Sequence, residues 1–198
     1  MKKIMTLIAG AALLFLACGV EEPTETQPPA IVNDSPANCL KAVAAAWSDK
    51  DYGRFKECLA ADFVFDFNPA DVGTKVRGYP IPATWTYDDI LNTTLNMFTL
   101  AESVSCGIPV DEVGTPGANA GTWRATNIPF NLTIMEDAES GYRVGAGYCY
   151  FTFESYTDNG QRRWRLTEWW DFTRAGNATA ANLGITPTSL GLALALYR

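Results

Sequence analysis

The sequence predicts an α+β domain in which helices come first and an antiparallel sheet closes the chain. Three observations carry this. Apolar residues recur at helical spacing from Leu40 to Trp47 and again from Ile90 to Phe98. From residue 128 onward, strand-like runs follow one another: IPFNLTIM (128–135), YRVGAGYCYFTFESY (142–156) and RRWRLTEWWDF (162–172). Turn signals at Glu139-Ser140-Gly141 and Asp158-Asn159-Gly160 separate them. In the last run Trp164, Leu166, Glu168, Trp170 and Phe172 share one parity, and Arg163, Arg165, Thr167, Trp169 and Asp171 share the other. The first set is apolar except for Glu168, so it is expected to face the core.

Before the domain comes a leader. Lys2 and Lys3 form a charged start, and residues 4–17 are almost wholly apolar. Phe15-Leu16-Ala17-Cys18 then resembles a bacterial lipoprotein signal, with a small residue before the cysteine. An apolar run of this length is too short to span a bilayer. Residues 19–30 are rich in Pro, Thr and Glu and offer little to bury, as in a disordered tether. The expected layout is a signal peptide over 1–17, a lipid anchor on Cys18 with a tether to residue 33, and one domain over 34–198. Location at the bacterial cell envelope, held to a membrane through the lipid on Cys18, follows from that reading.

Charge and cysteine content narrow the class. The chain has 15 Lys and Arg against 22 Asp and Glu. Removing Lys2 and Lys3 with the leader takes the net charge from −7 to −9. That balance argues against nucleic acid and against an electrostatic grip on anionic lipid. There is no histidine and no Cys-x-x-Cys, so a zinc site is not expected. No Gly-rich loop follows a strand and opens a helix, so nucleotide binding lacks support and no cofactor is expected. Beyond Cys18, an even set remains (Cys39, Cys58, Cys106 and Cys149) in a chain read as leaving the cytosol. Disulfides or buried thiols both suit it.

In chain order, Ser35-Pro36 reads as a helix cap followed by proline at the first helical position. Leu40, Val43, Ala44 and Trp47 form the apolar stripe of that helix. Asp49 can cap a second helix carrying Tyr52, Phe55 and Leu59. Two helices joined by so short a break form a hairpin. The first rises about 13 Å from Cys39 to Ser48 and the second returns a similar distance. Cys39 and Cys58 are therefore brought to the same end, as a candidate disulfide worth about 3 kcal/mol in loop entropy. Phe63, Phe65 and Phe67 then alternate with Val64, Asp66 and Asn68 in a strand stopped by Pro69. Thr86 caps a third helix, with Asp88 and Asp89 in its first turn and Ile90, Leu91, Thr94, Leu95 and Phe98 on its apolar stripe. A strand is expected over 104–113, a loop over 114–121, loose chain over 174–188, and a short helix at the C-terminus.

This order resembles the nuclear transport factor 2-like superfamily, which includes SnoaL-like cyclases and ketosteroid isomerases. AAAWSDKDYGRFKECLAADFVFDFNP, LNTTLNMF and NGQRRWRLTEWWDF carry the resemblance, with Asp51 at the helix break and Asp62 leading into the first strand. It implies a curved antiparallel sheet wrapped on three helices, a cone with a pocket inside. It also implies a test of chemistry. The isomerase branch places an Asp base before the proline that ends the first strand, and here that position is Asn68. Its tyrosine donor falls on Val43 and its carboxylic acid near Thr152 or Phe153. An amide takes no proton at neutral pH, and histidine-based branches are excluded outright.

Four residues stand out as candidates for ligand binding. Glu168 sits on the apolar parity of an aromatic strand, where an unpartnered carboxylate is costly and its pKa rises. It can line a pocket, or pair with an arginine such as Arg143. Asp66 lies opposite the three phenylalanines and can meet Glu168 across a pocket, or sit on a solvated face. Tyr150 and Trp170, with Trp47, Trp169 and Tyr148, can make an aromatic box or plain core. The expectation is non-catalytic binding of a small or apolar ligand or of a protein partner, a second copy included. The alternative is a lyase or isomerase with Asp66 or Glu168 as base.

Overall fold

The computed structural model describes residues 31–176 and 184–198. The expected signal peptide, the expected lipid anchor on Cys18 and most of the expected tether lie outside the described residues. The described chain runs α1 (Pro36–Ser48), α2 (Tyr52–Glu57), β1 (Leu59–Asp66), β2 (Lys75–Val76), β3 (Tyr79–Pro80), β4 (Thr84–Thr86) and α3 (Tyr87–Leu100). It continues with β5 (Ser103–Gly107), β6 (Thr122–Pro129), β7 (Asn131–Met135), β8 (Gly141–Ala146), β9 (Tyr148–Asp158) and β10 (Gln161–Asp171). Two short strands, β11 (Arg174–Ala175) and β12 (Ile185–Pro187), and the helix α4 (Leu190–Ala195) complete it.

The helices begin where the caps stand. The Ser35 hydroxyl accepts from the Asn38 amide at 3.1 Å, with Pro36 in the first turn. Asp51, not Asp49, caps α2 by accepting from the Arg54 amide at 2.9 Å. Asp49 instead closes α1. Leu59 is no longer helical; it opens β1. Thr86 and Asp89 form a reciprocal capping box on α3. On that helix Thr93 and Met97 are buried, while Leu95 of the expected stripe is exposed. The C-terminal segment forms a helix, as expected, with Leu190 and Leu194 buried.

The sheet is curved and mostly antiparallel, and it divides into two sections. One has the order β4-β1-β10-β9-β6, the other β11-β8-β7-β5 with β12 beside β8. The two runs expected as single long strands each break: β6 gives way to β7 at Phe130, and β8 to β9 at Gly147. Gly147 has φ +95°, and a Cβ there would collide with the Phe172 carbonyl, so only glycine turns this corner. The closing hairpin turns on Asn159 and Gly160, φ 48° and 75°, as Asp158-Asn159-Gly160 predicts. The β1–β10 pair is parallel, an exception to the antiparallel expectation.

One irregularity reverses the parity expected of β10. Leu166 pairs with Phe153 and Glu168 with Thr152, so Thr167 is the extra residue of a β-bulge. Trp164 and Leu166 face inward before it; Trp169 and Asp171 face inward after it. Glu168, Trp170 and Phe172, expected on the core face, are turned to the outer face. The physical reason is the indole. Burying 150–250 Å² of aromatic surface contributes about 4–6 kcal/mol, whereas burying an unpartnered carboxylate costs several. The indole N–H groups of Trp47 and Trp169 have no hydrogen-bond partner among the described residues. Each costs about 1–3 kcal/mol, less than the ring's burial returns.

Trp169 thereby becomes the centre of the interior. Its ring stacks on Trp47 at 5.4 Å and meets Phe151 at 5.1 Å, Phe130 at 5.3 Å and Phe65 at 5.8 Å. All five rings are at most 1% exposed. The inner side of the sheet, where the resemblance implies a pocket, is occupied at this level by side chains.

Candidate functional site

The candidate residues meet on the other side. β1 lies between β4 and β10, and Asp66 is in register with Trp170, which is in turn in register with Tyr150 on β9. One row of the outer face therefore reads Asp66, Trp170, Tyr150. Glu168 sits one pleat away on β10, beside Thr152, whose hydroxyl donates to its carboxylate at 2.9 Å. Tyr148 and Tyr150 stack at 5.6 Å, and Phe172 lies 4.9 Å from Tyr150 and 6.3 Å from Trp170. The Arg124 guanidinium rests over both Tyr150 and Trp170, at 5.6 and 5.5 Å.

Where β1 ends, the chain leaves the sheet and walls an apolar cleft of ≈ 360 Å³. Phe67, Pro69, Val72, Trp170 and Phe172 line it, and Asp66 is its charged lining residue. Asn68 shapes this wall. Its amide donates to the Thr173 carbonyl at 2.7 Å and its oxygen accepts from Ala70 at 3.0 Å, so the loop returns sharply beside β10. The side chain at the isomerase base position is thus a structural brace. Val43 is wholly buried.

Burial raises the Asp66 carboxyl above its ordinary range, and the charge of Glu168 raises it further. Neither carboxylate has an ion pair among the described residues; the partner of Glu168, the Thr152 hydroxyl, carries no charge. Asp66 and Glu168 share the outer face, close enough for the charge of Glu168 to act on Asp66, rather than facing each other across a pocket within a cone. Arg143 lies on β8, in the other section of the sheet, and makes no ion pair with Glu168. The expected aromatic box divides: Trp47 and Trp169 are core, while Trp170, Tyr148 and Tyr150 are on the outer face. Arg124, Phe172 and the Pro69–Val72 wall were not expected at the site. The polar alternation of TWRATN (122–127) carried a signal for Arg124; nothing in the sequence marked the bulge that exposes Phe172.

The four described cysteines are free thiols. The helical hairpin returns Cys58 to Cys39 as expected. The Cys39 thiol donates toward the Cys58 carbonyl at 3.8 Å, and both are buried. Hydrogen bonding between the two thiols, with burial, raises Cys39, whereas acceptance from Cys39 lowers Cys58. Among the described residues no group of three or more His, Cys, Asp or Glu side chains is disposed to hold a metal.

No protein-family model matches the chain, and no curated protein matches it in sequence. Solved structures similar to it include a nuclear transport factor 2-like superfamily protein from Salmonella enterica, 10% identical, TM-score 0.48, covering 72% of this chain and 91% of that one. A nuclear transport factor 2-like protein of unknown function in nutrient uptake from Rhodospirillum rubrum is 13% identical, TM-score 0.44, covering 68% and 93%. A putative aromatic ring hydroxylase from Novosphingobium aromaticivorans is 16% identical, TM-score 0.45, covering 73% and 90%. At these scores the likeness assigns neither family membership nor activity.

Proposed function

We propose that this is a non-catalytic binding domain presented at the cell envelope by a lipid on Cys18, and that it binds on the outer face of its larger sheet section. One observation carries the reading: among the described residues Trp47, Phe65, Phe130, Phe151 and Trp169 pack together on the inner side of the sheet, while Asp66, Tyr150, Glu168 and Trp170 converge outside it beside an apolar cleft. Such a platform offers stacking surface, apolar wall and two acceptors, which suits recognition. Native mass spectrometry of the full chain tests it. A co-purifying small molecule, lost in Trp170→Ala, supports a ligand site. A dimer dissociated by Trp170→Ala makes the occupant a second copy. An empty monomer that binds nothing contradicts the reading. Anchoring is tested separately, since Cys18→Ala is expected to release the protein from the membrane fraction.

The raised Asp66 carboxyl favours a second reading, a lyase or isomerase with Asp66 as general base. A turned-over product that disappears in Asp66→Asn, with binding kept, would establish it.

A further inference from the structure

Two carboxylates and an apolar cleft define a ligand more narrowly than binding alone. Asp66 lines the cleft, and Glu168 stands close enough for its charge to act on Asp66. Like charges held together are unfavourable, and among the described residues no cation pairs with either. Arg124 lies on the rings of Tyr150 and Trp170 rather than on the carboxylates. The remaining walls are hydrocarbon and aromatic: Phe67, Pro69, Val72, Trp170 and Phe172. A bare metal ion would need several more oxygen ligands than two, and those walls supply none.

We propose that the cleft binds a small organic cation, an ammonium group on an apolar body, with the ammonium at Asp66 beside Glu168 and the body against Trp170 and Phe172. This rests on the outer face being the binding surface and specifies what it takes. The ammonium relieves the repulsion between the carboxylates and gains attraction from the ring of Phe172, which Arg124 leaves uncovered. The body replaces water on apolar wall. The formal charge of the chain, −7, draws cations toward it.

The test titrates the full chain with three cations, 2-phenylethylammonium, hexyltrimethylammonium and hexylammonium, and with neutral 2-phenylethanol, by ligand-observed NMR. At least one cation is expected to bind roughly tenfold more tightly than the alcohol. Asp66→Asn should weaken that cation about tenfold and leave the alcohol unchanged, and Trp170→Ala should weaken both. Cation affinity should also fall as pH drops through the range in which Asp66 protonates. Circular dichroism melts establish that each variant is folded. Equal affinity for alcohol and cations overturns the cation assignment and leaves the outer-face site standing. No binding of any of the four, together with an empty monomer by native mass spectrometry, overturns both.

Discussion

Asp66 holds a proton more firmly than an ordinary aspartate because burial disfavours its charged form and Glu168 adds a like charge. Removing that charge should therefore lower it. An NMR titration of Asp66 in Glu168→Gln is expected to show a pKa below that of the wild type. No change would mean that the two carboxylates do not meet. The phenylalanine alternation made Asp66 legible as an outer-face residue, since side chains of a strand alternate without exception while the ladder is regular. Glu168 was legible as an anomaly and misplaced in direction. Alternation fails at a bulge, and Thr167 bears no local mark of one: it is neither glycine nor flanked by a turn signal. What decides it is tertiary, the competition between Trp169 and Glu168 for the same interior.

At the scale of elements, α4 is held to the end of β10 by a buried carboxylate. Asp171 is 1% exposed and accepts from the Thr173 amide at 2.7 Å and the Gly191 amide at 3.0 Å. The Thr173 hydroxyl accepts from Leu190 at 2.7 Å, and Ser189 donates to Asp71 at 2.5 Å. Burial raises Asp171 to about 6, against the opposing hydrogen bonds from Thr173 and Gly191, and the charge of Asp71 adds to the rise. The sign follows from linkage. A folded pKa above the unfolded value gives stability that is complete below about pH 4 and lost as pH rises through about 6. A shift of this size corresponds to about 3 kcal/mol at most. Urea unfolding between pH 4 and pH 7 should show the wild type losing stability, with Asp66 and Asp71 contributing in the same direction, and Asp171→Asn losing less. Equal losses would place Asp171 outside the latch. The latch was not legible beforehand: Asp171 lay on the parity assigned to solvent, and its partner Gly191 lies in a tail read as a short terminal helix, with no local pattern joining the two.

For the whole molecule, the caps, the three-phenylalanine strand, the Asn159-Gly160 hairpin and the helical hairpin were legible because each is set by residues close in sequence. The corners at Phe130 and Gly147, the parallel β1–β10 pair and the filled interior depend on residues far apart in sequence, and local pattern is silent on them. The helical hairpin brings Cys39 and Cys58 together as free thiols, and their bridge depends on the compartment rather than on the fold alone. We propose that it closes when the chain matures in an oxidising compartment, where a bridge would add about 3 kcal/mol. Peptide mapping of the protein produced in an oxidising compartment should find the two joined, and quantitative alkylation of both would exclude it. The central claim, that the sheet turns Trp169 inward and Trp170 outward so that its binding surface lies outside, is tested most directly by urea unfolding of Trp169→Ala and Trp170→Ala side by side. The expected result is a loss of about 3–5 kcal/mol for Trp169→Ala and a clearly smaller loss for Trp170→Ala, since Trp170 is 36% exposed. A larger loss for Trp170→Ala than for Trp169→Ala would contradict it, returning Glu168 to the interior and the site to a pocket.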